Sequence, residues 1–234
     1  MALPKLNDSP KYTMTIPSTG KKIKFRPYLV KEEKVLLMAV ESQDMKTGLS
    51  AVVDTISACC QDEINVDRLT TFDVEYMFTQ MRAKSSGESV KIGLSCKKCE
   101  QLNEVDVTLD DLKVNVPKVE KVHPLNDEIT IELRYPPYSV FLDMDFEDGD
   151  DAENTFFIAG KCIDAIQYDD ERIECDDVPT EELTEFLESM TKEQFKIIMD
   201  FVETMPKLEK NVKYDCIHCS HKNTLKLEGM QSFF

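Results

Sequence analysis

Apolar positions recur along this chain at two spacings, and the alternation between them predicts its elements. Tyr12 to Ile16 alternate, Pro17-Ser18-Thr19-Gly20 reads as a turn, and Ile23 and Phe25 alternate again, which predicts a β-hairpin. Residues 31–43 read as a helix with charged flanks, and Leu49, Val52, Val53 and Ile56 lie on one stripe of a second. Thr70-x-x-Asp73 is a capping signal for a third helix running to about Ala83. After Lys84-Ser85-Ser86-Gly87, Ile92 and Leu94 alternate into Cys96-Lys97-Lys98-Cys99, and Val105, Val107 and Leu109 alternate out of it.

Residues 115–128, with Pro117 and Pro124, read as a connector, after which the order starts again. Ile129, Ile131 and Leu133, then Val140 and Leu142 beyond Pro136-Pro137, predict a second strand pair. Asp143 to Glu153 reads as a solvated acidic loop, lacking the ligand spacing of a calcium-binding loop. Phe156, Ala159, Ile163 and Ile166 share a helical stripe, residues 169–179 are acidic and non-periodic, and Thr180 opens a helix through Glu188. Thr191-x-x-Gln194 is a capping box for a helix to about Thr204, ended by Pro206. Val212 and Tyr214 lead into Cys216-Ile217-His218-Cys219, and Leu225 and Leu227 lead out.

The two halves can be superposed as sequences. Thr70, Asp73, Val74, Met77, Phe78 and Met81 correspond to Thr191, Gln194, Phe195, Ile198, Met199 and Val202. Around the cysteines, Ile92 and Leu94 correspond to Val212 and Tyr214, and Asn103 to Asn223, each four residues past the second cysteine. The expected fold is therefore α+β. It comprises two tandem repeat-like units, 1–114 and 115–234, each a β-hairpin, helices and a zinc-knuckle hairpin.

Cys96, Cys99, Cys216 and Cys219 are the candidate metal ligands. A C-x-x-C turn lets two thiolates converge on one ion, and two such turns complete a closed, structural four-cysteine zinc site. The long interval between the pairs is unlike a compact zinc ribbon, but equivalent knuckles of two packed repeats would meet across one shared zinc. Glu100 and Ser220 stand where a glycine often follows the second cysteine. Disulfides, separate ions helped by His218 and His221, and a redox C-x-x-C are the alternatives. The second pair alone has histidines nearby, and strands rather than a helix N-terminus flank both pairs. Cys59 or Cys60 and Cys162 read as small core residues, and His123 as a loop residue.

Composition narrows the function. The chain has 234 residues, 41% of them hydrophobic, and a formal charge of −17, which disfavours a nucleic-acid surface. Lys21, Lys22, Lys24 and Arg26 alternate with Ile23 and Phe25 as the solvent face of a strand. No eighteen-residue apolar run predicts a membrane span, and no signal peptide is visible, so a cytoplasmic setting is expected. No phosphate-binding, dinucleotide, zincin or nucleophile-elbow motif is present, so no catalytic residue is assigned.

The ending Asn223-Thr224-Leu225-Lys226-Leu227-Glu228-Gly229-Met230-Gln231-Ser232-Phe233-Phe234, directly after a C-x-x-C, resembles the baseplate hub and tail-assembly proteins of T-even-type contractile-tailed bacteriophages. The acidic character, the size and the two separated C-x-x-C pairs are similar as well. The resemblance implies a non-enzymatic hub component or assembly factor. It would act in the host cell cytoplasm during assembly, with other baseplate hub or tail proteins as partners. A zinc-ribbon module acting on nucleic acid or on another protein complex is the alternative. Phe233 and Phe234 either fold back on the core or anchor into a partner. The sequence sets neither partner stoichiometry nor oligomeric state.

Overall fold

Ile23 and Phe25 point inward from a strand whose alternate residues, Lys22 and Lys24, face solvent, and this alternation recurs in most strands of the chain. The computed structural model describes residues 9–109, 112–143 and 151–229. Strands β1 (Tyr12–Thr15) and β2 (Lys22–Phe25) form the first hairpin, pairing Tyr12 with Phe25 and Met14 with Ile23. Helix α1 (Val30–Ser42) follows, then α2 (Met45–Cys59), capped by Asp44, which accepts a hydrogen bond from the Thr47 N–H at 2.9 Å. Helix α3 (Thr71–Ser86) starts at the expected box. Thr70 caps it, and the buried Asp73 carboxylate accepts from the Thr70 N–H at 3.0 Å and from the Ser18 N–H at 2.9 Å. One carboxylate thus starts the helix and holds the turn of the first hairpin, an arrangement in which the cap alone contributes about 1 kcal/mol.

Strands β3 (Ser89–Ser95) and β4 (Leu102–Thr108) form the first cysteine hairpin, and β5 (Lys113–Val114) follows. Next come β6 (Val122–Pro124), β7 (Ile129–Leu133), α4 (Ser139–Asp143), α5 (Asp151–Lys161), β8 (Ile163–Tyr168) and β9 (Glu171–Glu174). Helices α6 (Thr180–Glu188) and α7 (Lys192–Glu203) precede the second cysteine hairpin, β10 (Leu208–Asp215) and β11 (Lys222–Glu228). Helix α7 opens on the expected capping box, with Gln194 accepting from the Thr191 N–H at 2.8 Å.

The fold is mixed α+β, but its compact units do not follow the tandem division at 114/115. One unit comprises residues 1–115 together with 207–234, and the other comprises 116–206. The cause is where the apolar faces are buried. Leu94 and Val107 of the first cysteine hairpin share one buried cluster with Leu208, Val212 and Leu227 of the second, joined by Ala83, Leu109 and Leu112. Strand β10 pairs with β11 on one side and with β5 on the other, Leu208 lying opposite Val114. The second cysteine hairpin therefore completes the first unit.

The other unit has its own core: Ile131, Leu133, Ala159, Cys162, Ile163, Leu183, Leu187, Ile198 and Phe201 are all buried in one cluster. Its sheet has the order β6-β7-β8-β9, antiparallel throughout. This sheet replaces the strand pair expected at 129–142. Val140 and Leu142 lie on the short helix α4, and Ile163 and Ile166 lie on a strand where the helical stripe had been extended through them. The helix ends at Lys161 because residues 163–168 pair with β7 and β9 on both sides. Strand β9, in the stretch read as non-periodic, is an edge strand with all four residues exposed, so no alternation marks it.

Candidate metal centre

The two cysteine turns are built alike from the same local bonds. In the first, the Cys96 N–H donates to the Gln101 carbonyl at 3.0 Å and the Glu100 N–H to the Cys96 carbonyl at 2.9 Å. In the second, the Cys216 N–H donates to the His221 carbonyl at 2.9 Å and the Ser220 N–H to the Cys216 carbonyl at 2.8 Å. Glu100 and Ser220 are left-handed, with φ of 59° and 55°. Each turn thus keeps the conformation that glycine adopts freely, at a cost of about 1–2 kcal/mol for a residue with a side chain. The flanking ladders also match, Leu94 facing Asn103 in one and Tyr214 facing Asn223 in the other.

The hairpins bring their sulfurs together. Cys96 Sγ is 3.7 Å from Cys219 Sγ, and Cys99 Sγ is 3.6 Å from Cys216 Sγ. All four lie within 4.8 Å of one another, a group that could hold a metal ion. A tetrahedral ion with metal–sulfur bonds of about 2.3 Å requires sulfur–sulfur edges of about 3.8 Å, which these two paired distances match.

Two asparagines set the hairpins against each other. Asn103 Oδ1 accepts from the Ile217 N–H at 2.9 Å, and Asn223 Oδ1 accepts from the Lys97 N–H at 3.0 Å. Each amide group turns back on its own hairpin, Asn103 Nδ2 donating to the Gln101 carbonyl at 2.8 Å and Asn223 Nδ2 to the His221 carbonyl at 3.0 Å. Both asparagines are buried. The sequence marked them as equivalent positions, and their role emerges only from the packing. Tyr214 Oη adds a bond to the Ser95 carbonyl at 2.9 Å, and Lys97 Nζ one to the Thr224 carbonyl at 2.9 Å.

The environment favours anionic sulfur at Cys96 and Cys216. At Cys96, burial opposes ionisation, but the Cys99 and Lys98 N–H groups, the Asn223 amide and the neighbouring thiol together lower the pKa to about 5. At Cys216, burial is likewise outweighed by the N–H groups of His218 and Cys219 and by the thiols of Cys99 and Cys219, and the pKa is lowered. The Gln101 N–H pulls Cys99 down, but its burial and three neighbouring sulfurs push it up to about 12. Four thiols this close cannot all ionise unaided, whereas a divalent cation at their centre reverses that repulsion.

Other candidate groups lie apart from this cluster. His218 is exposed and its Nε2 is 3.4 Å from the Leu102 carbonyl, while His123 Nε2 is 3.1 Å from the Glu120 carbonyl. Cys59 and Cys162 are core residues as expected, and Cys175 joins them. Burial pushes the Cys59 and Cys175 thiols up to about 11 and those of Cys60 and Cys162 up to about 12, which leaves them protonated and unreactive. Phe233, Phe234 and residues 144–150 of the acidic loop lie outside the described residues. Among the described residues, no helix is long and apolar enough to cross a membrane.

Fold and site together define an α+β protein built around a pair of equivalent cysteine hairpins that share one core and one cluster of thiols. The family model described as T4 bacteriophage base plate protein matches residues 9–234, nearly the whole chain, and the chain belongs to that family. It is a phage baseplate protein, and the resemblance read from the cysteine hairpins and the C-terminal dozen residues is borne out at that level. No curated protein and no solved structure matches the chain.

Proposed function

We propose that this chain is a non-enzymatic component or assembly factor of the baseplate hub, stabilised by one structural zinc ion held by Cys96, Cys99, Cys216 and Cys219. The observation that carries the zinc reading is the cage, with paired sulfurs 3.6 and 3.7 Å apart, close to the edge of a tetrahedral zinc–tetrathiolate site. A set of four thiolates selects a soft or borderline ion, and zinc adds no redox chemistry. Four protein ligands leave no open position for substrate or water, so the ion would serve the fold.

The ligands stand far apart in sequence, so the ion would also close the chain around residues 116–206. It would hold together the ends of a segment that has its own core. That role suits a protein whose task is to present surfaces to hub and tail proteins during assembly in the host cytoplasm. A charge of −17 weighs against nucleic acid as the partner. Phe233 and Phe234 are the proposed C-terminal partner contact.

Affinity purification of the tagged chain from infected cells tests the assignment. Co-purifying hub or tail proteins support it, and their absence, with retention on nucleic acid that falls steeply with salt, would replace it with the zinc-ribbon alternative.

A further inference from the structure

Helix α1 is the least buried helix of its unit, and it is not polar. Only Glu32 and Ala39 are buried along it. Val30 is 80% exposed, Val40 75%, Leu37 60%, Met38 58% and Val35 48%, with Leu29 adjoining at 41%. These six are over half of the exposed large apolar residues among those described. At helical spacing, Leu37, Met38, Lys34 and Glu41 fall on one outward side with Val30, flanked by Val35 and Val40. Lys34 and Glu41 are both exposed.

We infer that this face is a two-fold interface with a second copy of the same chain, α1 packing antiparallel on α1. The charge pattern of the face selects that occupant. The chain as a whole is strongly acidic, yet this helix is balanced. Glu32 pairs with both Arg26 at 2.8 Å and Lys31 at 3.2 Å, and together with Lys34, Glu33 and Glu41 these charges sum to zero. The pattern is also self-complementary. With Leu37 and Met38 about the two-fold axis, Lys34 of each copy lies opposite Glu41 of the other, two helical turns away in its own chain. A basic partner drawn to a chain of this charge would instead meet a face carrying no net charge. The overlap in that register is short: Val35, Leu37, Met38 and Val40, at roughly 100 Å² each and counted from both copies, give about 800 Å², the size of a weak, reversible dimer.

This dimer stands independently of the zinc reading, because α1 carries none of the four cysteines. Sedimentation equilibrium of the full chain at about 1–100 µM, a range that brackets micromolar affinity, is the test. The expected species has twice the 26.9 kDa chain mass. Leu37→Glu should weaken dimerisation about 30-fold or more. Lys34→Glu and Glu41→Lys should each weaken it several-fold, and the double swap should restore it. That restoration reads the pairing itself and holds even where Leu37→Glu disturbs folding. A monomer at every concentration would overturn the inference, as would a dimer indifferent to all these changes, or capture of a different baseplate protein on α1 by a chain that stays monomeric.

Discussion

Asn103 and Asn223 each cap the cysteine turn of the other's hairpin: Asn103 Oδ1 accepts from the Ile217 N–H at 2.9 Å and Asn223 Oδ1 from the Lys97 N–H at 3.0 Å. The exchange makes each hairpin the other's template. It also explains why these two buried amides stand at equivalent positions, since removing either leaves one turn unsatisfied and the opposite sulfur pair unsupported. Asn223 Nδ2 additionally lies 3.5 Å from Cys96 Sγ, which places it directly behind a proposed ligand.

Asn103→Ala and Asn223→Ala are accordingly expected to cost about 1–3 kcal/mol each, because buried N–H groups lose their acceptors. Thermal melting reads that loss. Competition with a chromogenic chelator should show the metal bound roughly 10–100-fold more weakly, as for other groups that orient ligands from behind. The double variant should lose less than the sum, since the two bonds share one interface.

Glu100→Gly and Ser220→Gly should raise stability, against the usual direction of glycine substitutions. Both positions have φ near 60°, at 59° and 55°. Glycine removes the steric cost there at some expense in unfolded-chain entropy, for a net gain of about 0.5–1 kcal/mol per site in denaturant unfolding.

Glu32 gives a pH signature. Burial raises its pKa, but hydrogen bonds from Arg26 and from the Leu29 N–H outweigh it and hold the carboxyl at about 2, below the ordinary 4.5. The folded state thus releases this proton more readily than the unfolded state. The stabilisation is complete above about pH 4.5 and is lost as pH falls toward 2. With allowance for solvent at Arg26, it amounts to about 2 kcal/mol. Glu32→Gln should flatten the stability profile in that window and leave the profile above pH 6 parallel to the parent's. An unchanged acid limb would contradict the assignment.

Ile163→Ala tests the division of the chain. Ile163 is fully buried in the core of the 116–206 unit. Its truncation should cost about 2–5 kcal/mol in the melting of that unit. Metal retention against a chelator should stay as in the parent, because the cysteine hairpins bury their apolar faces in the other core.

The local elements were largely legible because their signals are local. The Thr70–Asp73 and Thr191–Gln194 boxes and the strands alternating about each C-x-x-C pair depend on residues a few positions apart. Where the sequence misled, two structures fit the same spacing. Ile163 and Ile166 continue the helical stripe of Phe156 and Ala159, yet they also suit a strand covered on both sides, and pairing with β7 and β9 decides for the strand. Val140 and Leu142 alternate like a strand but lie in one turn of helix after a diproline. The division into units was hidden for another reason. Val212 and Leu227 reveal that they are apolar, not that their partners are Leu94 and Val107, more than a hundred residues earlier. The same holds for the cysteines, whose pairing as Cys96 with Cys219 and Cys99 with Cys216 belongs to the packing of the hairpins.

Whether one zinc ion is shared by both hairpins can be read by zinc X-ray absorption on the purified full chain, combined with elemental analysis. The expected result is one zinc per chain with four sulfur neighbours at about 2.3 Å and no nitrogen or oxygen bound to the metal. Cys96→Ser and Cys216→Ser, one from each hairpin, should each disrupt that single site. Two zinc ions per chain, histidine nitrogen among the ligands, or a folded chain with no zinc and two disulfides would contradict it.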